Sequence, residues 1–194
     1  NWDTFITPIV FGETAYAIVA NSTSSIKTYN EFKNLVRNTK KDINIASSSG
    51  TFKITYDLWA EQYRVNKKYV ADIIYPNSPA VAIAVGGNQT EFGLLPLYYA
   101  LQFEREGRMR ILAVSSSNVD KNLTSAPNMF QHFNVAPGYM LALHPDTPAD
   151  IVEWFQREFW RAMQSTRYAE FMSNNAITIN KNAVGDVAVK RYGA

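Results

Sequence analysis

The sequence predicts a doubly wound α/β fold with a mostly parallel sheet flanked by helices, and three observations carry that expectation. Short apolar runs suited to strands alternate with amphipathic runs suited to helices from Thr14 to Val114. The helical runs open and close on recognisable capping residues. Apolar residues make up 46% of 194 positions, enough to bury a sizeable core. Parallel neighbours need crossovers of about a dozen residues, and a helix between successive strands supplies them.

Thr14–Ala20 reads as the first strand. Thr28-Tyr29-Asn30-Glu31 then forms a capping box, because a Thr hydroxyl and a Glu carboxylate three residues on satisfy each other's free backbone amides. Phe32, Leu35 and Val36 follow at helical spacing. Ile43–Ala46 is a short apolar strand, Ser47-Ser48-Ser49-Gly50 a turn, and a helix runs from Thr51 to about Tyr63 with Ile54, Leu58 and Trp59 spaced for one face. Ile73-Ile74-Tyr75 is the next strand. Ser78-Pro79 suits the cap and first position of a helix that Gly86-Gly87 ends. Glu91–Leu95 is a strand, Pro96 opens a helix through Glu106, and Met109–Val114 reads as a buried strand. Beyond a looped region, a helix starts at Thr147-Pro148-Ala149-Asp150, with Ile151, Val152, Phe155, Phe159 and Met163 on one face and Trp154 and Trp160 flanking it. Thr166–Asn174 fits a further helix and Ile177-Thr178-Ile179 a short strand.

Composition narrows the function classes. The longest apolar runs, Ala15–Ala20 and Ala80–Val85, fall far short of the roughly 20 residues a membrane-spanning helix needs. No basic, apolar and small-residue leader pattern opens the chain, which begins Asn1-Trp2, so a processed or partial product is expected. Cysteine is absent, removing disulfides, thiolate metal sites and cysteine nucleophiles together. Nineteen Lys and Arg against seventeen Asp and Glu are mixed along the chain rather than blocked, which argues against a nucleic-acid surface. No nucleophile elbow, His-Glu-x-x-His or phosphate loop is present, and His132 and His144 sit in no catalytic pattern, so no enzyme, cofactor or metal is expected. Asn21-Ser22-Thr23, Asn88-Gln89-Thr90 and Asn122-Leu123-Thr124 fit the loose glycosylation pattern, which arises readily by chance.

The best small-anion candidate is Ser47, Ser48, Ser49, Gly50 and Thr51. A polar, glycine-containing turn entering a helix offers free amides and hydroxyls beside the positive end of the helix dipole. Lys53 would add charge or else face solvent. The alternative is a turn capped by Ser or Thr for its own sake. In doubly wound folds ligands lie outside the carboxyl ends of the strands. Phe92, Gly93 and Leu94 would then form a second wall, using backbone groups of Gly93, unless they are a buried strand end.

Several segments resemble the solute-binding receptors of tripartite tricarboxylate transporters, the TctC or Bug family. Thr4-Phe5-Ile6-Thr7-Pro8-Ile9 looks like that family's opening. Ile45-Ala46-Ser47-Ser48-Ser49-Gly50-Thr51 looks like its polar strand-end turn. Ile74-Tyr75-Pro76-Asn77-Ser78-Pro79-Ala80, Gly86-Gly87-Asn88-Gln89, Gly107–Val114, Ser125-Ala126-Pro127, Pro137-Gly138-Tyr139 and Thr147-Pro148 follow in the family's order. The resemblance implies a type II periplasmic-binding-protein-like fold, a small carboxylate ligand, membrane transporter subunits as partners and a periplasmic or extracytoplasmic location. It also implies a central lobe over 22–138, with 1–21 and 139–194 forming part of an incomplete first lobe, since the family's N-terminal third, with its Gly-rich loop, has no counterpart. Two departures stand out: Phe92-Gly93-Leu94-Leu95-Pro96 replaces a polar pair, and the stretch after Tyr139 is short.

Two functions fit. One is a receptor that holds a small organic di- or tricarboxylate. The other is a structural or assembly protein that reuses the fold without solute binding, its first-lobe edge covered by another protein or a second copy.

Overall fold

The computed structural model of the chain describes residues 5–48 and 50–178. They divide into a central unit, Ala15–Ala136, and a terminal unit made of residues through Thr14 and from Pro137 onward. The expected boundary at residue 22 therefore moves to Ala15. The reason is that the strand at Tyr16 is an inner strand of the central sheet.

The central unit runs β2 (Tyr16–Asn21), α1 (Tyr29–Asn38), β3 (Ile43–Ser48), α2 (Thr51–Gln62), β4 (Val70–Tyr75), α3 (Ser78–Gly86), β5 (Phe92–Pro96), α4 (Leu97–Arg105) and β6 (Met109–Val114). Its five strands lie in the order β4-β3-β5-β2-β6. β3 is parallel to β4 and to β5, whereas β2 runs antiparallel to both β5 and β6. The sheet is thus mixed, with one reversed strand set into it. All six residues of β2 are buried, as an inner strand covered on both faces requires.

Successive residues of β5 show how the layers close. Phe92 points to the α1/α2 side, its ring 4.8 Å from Phe32, which in turn stacks on Trp59 at 5.5 Å. Gly93 faces the other way, where an added Cβ would meet Val85 Cγ2 of α3 at 2.7 Å. Glycine is needed there because the helix packs directly on the strand.

Several expectations shift in detail. The buried face of α2 is Thr55, Tyr56, Trp59 and Ala60, while Ile54 and Leu58 are 61% and 42% exposed. The buried face is thus partly polar, and Thr55 on it donates its hydroxyl to the Thr51 carbonyl at 2.8 Å. α3 is capped one residue earlier than expected: Asn77, extended at φ −162°, accepts from the Ala80 amide, with Pro79 inside the first turn. The Thr28–Glu31 capping box of α1 forms in full.

The terminal unit holds β1 (Ile6–Thr14), β7 (Gly138–Leu143), α5 (Ala149–Met163), α6 (Thr166–Asn174) and β8 (Ile177–Thr178). Its sheet has the order β7-β1-β8, and both pairings are antiparallel. β1 and β7 were not expected from the sequence. Two register shifts in β1, between Ile6 and Ile9 and between Val10 and Gly12, break the alternation that would have marked it. α5 rests on β1 through Phe159 and Phe11, 5.9 Å apart, and the Tyr168 hydroxyl of α6 donates to the Phe11 carbonyl. Of the apolar stripe expected on α5, Met163 is buried and Ile151 is 42% exposed. Ile179, the last residue of the expected strand, lies outside the described residues.

Among the described residues no helix is long and apolar enough to cross a membrane.

Candidate functional site

The chain passes from β3 to β4 on one side of β3, then crosses to β5 on the other side. That reversal makes the carboxyl ends of β3 and β5 a switch point, where a crevice is expected in open α/β sheets. The two strands pair at Ile45–Phe92 and Ala46–Gly93. Ser47–Ser48 and Leu94–Pro96 continue beyond that ladder, so the strands end apart.

On the β3 side, Ser47 is fully buried and donates to Asp72 Oδ1 at 2.5 Å, so its hydroxyl serves the sheet. The second oxygen of Asp72 is buried and has no partner among the described residues. Burial raises the Asp72 carboxyl above the usual carboxylate range, against the opposing effects of the Ser47 bond and the Lys53 charge. Ser48 is buried at the strand end, and Ser49 lies outside the described residues.

Gly50 takes φ 79°, a left-handed conformation, although an added Cβ would meet nothing within 4 Å. Conformation rather than crowding therefore requires glycine there. Among the described residues α2 then starts with no side-chain cap, and its first turn holds no acidic residue. The helix's positive end is left to its own amides, of which Lys53 N is used by Gly50 O at 3.1 Å.

Thr51 Oγ1 and the Tyr16 hydroxyl lie 2.5 Å apart, and the Tyr16 ring packs on Phe52 at 4.2 Å. Tyr16 opens β2 beside Pro96 at the end of β5. Its amide donates to Ser115 Oγ at 2.8 Å, and its carbonyl accepts from Ser115 N at 2.8 Å. β2 runs antiparallel, so its start lies with the ends of β3, β5 and β6. Gly50–Thr51, Tyr16, Pro96 and Ser115 thus share one edge of the sheet, where Ser115 is spent on Tyr16 and on the Val135 carbonyl and the polar groups are neutral.

Lys53 is not turned to that edge. Its ammonium pairs with Asp57, one turn on, at 2.5 Å, and both side chains are about half exposed. Phe92, Gly93 and Leu94 are also placed elsewhere. Phe92 and Leu94 belong to the core cluster with Trp59, and Gly93 packs under α3. What reaches the end of β5 is Leu95 and Pro96, followed by α4, whose Leu97 amide donates to the Ala15 carbonyl at 2.9 Å. Sequence reasoning missed Tyr16 and Ser115. Nothing local marks either, because Tyr16 is 35 residues from Thr51 and 99 from Ser115.

A five-stranded sheet with one reversed strand and helices on both faces is the architecture of type II periplasmic solute-binding proteins. Comparison with solved structures gives the same fold. The chain superposes on the periplasmic binding protein BugD with a TM-score of 0.86 at 16% identity, covering 96% of this chain and 64% of that one. A protein of R. palustris solved with adipate gives 0.86 at 13% identity over 97% of this chain and 64% of its own. MatC from Rhodopseudomonas palustris, with bound malate, gives 0.84 at 16% identity over 96% and 65%. The chain therefore spans just under two thirds of the length of each. No family model and no curated protein matches the sequence.

Proposed function

We propose that this chain is a non-catalytic solute-binding module that holds a small organic di- or tricarboxylate at the strand-end edge of its central unit. The observation that carries the reading is the start of α2, uncapped by any described side chain. Its amides and the Thr51–Tyr16 hydroxyl pair sit where β3 and β5 part, with no acidic side chain in the first turn to compete for them. A carboxylate there would accept from Thr51 and Phe52 amides and from one or both hydroxyls, binding by hydrogen bonds rather than by a salt bridge. The adipate- and malate-bound proteins of the same fold support this ligand class, and the resemblance to tricarboxylate-transporter receptors supports a location outside the cytoplasm and a membrane transporter as the receiving partner. Ser48, Ser49, Gly50 and Thr51 are the binding residues under this reading. Ser47 supports the turn from beneath.

An assembly role without solute binding has one observation in its favour: Ile73 and Ile74, on the outermost strand β4, are 38% and 50% exposed. Isothermal titration with malate, succinate, adipate, citrate and uncharged analogues, run alongside the mass in solution, separates the two. Saturable binding of an acid that Thr51→Val weakens supports the receptor. A folded, multimeric chain that binds none of them favours assembly.

A further inference from the structure

A cleft of about 840 Å³ opens on the central unit and shares no residue with the strand-end edge. One wall is the start of α1, the other is the segment 121–131, and the outer edge of β6 at Ile111 and Leu112 forms the floor. Three lysines line it, Lys27, Lys33 and Lys121, and none has an ion-pair partner among the described residues. Lys27 is held by the Ser22 and Ser24 carbonyls, and Lys33 lies over the Tyr29 and Tyr63 rings at 4.8 and 5.4 Å. The one carboxylate in the lining, Glu104, accepts from the Ile111 amide at 2.8 Å. The cleft is therefore cationic and suits an occupant that carries negative charge.

The floor says what kind of anion. β6 is the last strand of its sheet, and its edge already takes extended chain: Val114 N donates to Pro127 O at 2.9 Å, and Met129 N donates to Val114 O at 2.6 Å. Next along that edge, Ile111 N is occupied by a side-chain carboxylate, which an incoming main chain can displace. A saccharide fits less well. The two tyrosines in the lining are only 6% and 4% exposed and pack edge to face at 5.9 Å, so neither offers an open ring for a sugar to stack on.

We propose that this cleft is a docking site for an extended acidic polypeptide segment of a partner protein, laid along the outer edge of β6 with its carboxylates beside Lys33 and Lys121.

The test is fluorescence anisotropy of the whole chain with a short fluorescein-labelled peptide of alternating Glu and Thr, with a sulfated oligosaccharide as competitor and a Lys/Thr peptide as control. Charge reversal at Lys33 and Lys121 is expected to weaken binding by about tenfold, the scale of two lost ion pairs turned repulsive. Glu104→Gln is expected to tighten it, because a competing charge leaves. Lys40→Glu with Lys41→Glu, at exposed positions outside the cleft, is expected to change it little. Lys121→Glu alone, at an exposed position, guards against a folding defect in the Lys33 variant, and thermal melts verify both. Equal weakening by the Lys40/Lys41 and Lys33/Lys121 pairs would reduce the effect to general charge attraction and overturn the proposal. Tighter binding of the sulfated oligosaccharide than of the peptide would overturn it too.

Discussion

Tyr29 links three parts of the central core through one hydroxyl. It accepts from the Trp59 indole at 2.9 Å and donates to the Met129 carbonyl at 3.0 Å, joining α1, α2 and the segment that pairs with the outer edge of β6 at Val114. Trp59 is 2% and Met129 0% exposed, so neither partner meets bulk water in the folded chain. Burial also holds the phenol well above its ordinary pKa, which keeps the donor proton in place throughout the working range. Tyr29→Phe keeps the ring and its contacts with Tyr63 and Lys33 but leaves the indole donor and the carbonyl without that partner. Each stranded buried group costs about 1–3 kcal/mol, so with two of them the variant is expected to lose roughly 2–6 kcal/mol. For a chain of this size that lowers Tm by roughly 4–24 °C. Urea and thermal unfolding followed by circular dichroism measure it. A double-mutant cycle with Trp59→Phe isolates the indole bond, and in that background Tyr29→Phe should cost about half as much. A loss under about 0.5 kcal/mol would refute the reasoning, since it would mean that water or a rearranged core satisfies both groups.

Gly93→Ala places a Cβ 2.7 Å from Val85 Cγ2 and 3.4 Å from the Ala46 carbonyl, and is expected to cost about 1–3 kcal/mol in the same unfolding assay. Thr28→Ala removes the hydroxyl half of the capping box and should cost about 1 kcal/mol. The Glu31 half gives a pH signature. Bonds from the Lys27 and Thr28 amides lower its pKa in the folded state, so its contribution is present above the unfolded value of about 4.3 and is lost as pH falls through the folded value. Glu31→Gln should flatten that part of the acid limb of a stability-against-pH curve. Asp72 has the opposite sign. Its folded pKa is raised, so the wild type should gain stability relative to Asp72→Asn as pH falls through that value, levelling off below about 3.9.

What the sequence reveals and conceals follows from the range of the interactions involved. The helix start at Thr28, the one near Ser78-Pro79 to within a residue, and the alternation from β2 to β6 rest on contacts within a few residues, and local residue types report them. Even so, the phase of α2 escapes apolar spacing, because its buried face is built from Thr55 and Tyr56 as much as from Trp59. β1 is masked by its own register shifts, and β7 by lying across from them. The reversed direction of β2 is wholly non-local, yet it brings Tyr16 to the carboxyl ends of β3 and β5. The turn at Ser47–Thr51 stands out in the sequence as polar and glycine-containing. That Ser47 turns under the sheet to Asp72, and Lys53 outward to Asp57, depends on partners that a linear reading does not rank.

Backbone amide NMR during titration with malate or adipate tests the central claim most directly, because it reports where the acid sits as well as whether it binds. Saturable shifts centred on Gly50, Thr51 and Phe52 are expected, with smaller ones at Tyr16 and Ser115, all attenuated in Thr51→Val. Saturable shifts centred elsewhere, or none with any carboxylate in a folded chain, would contradict the claim.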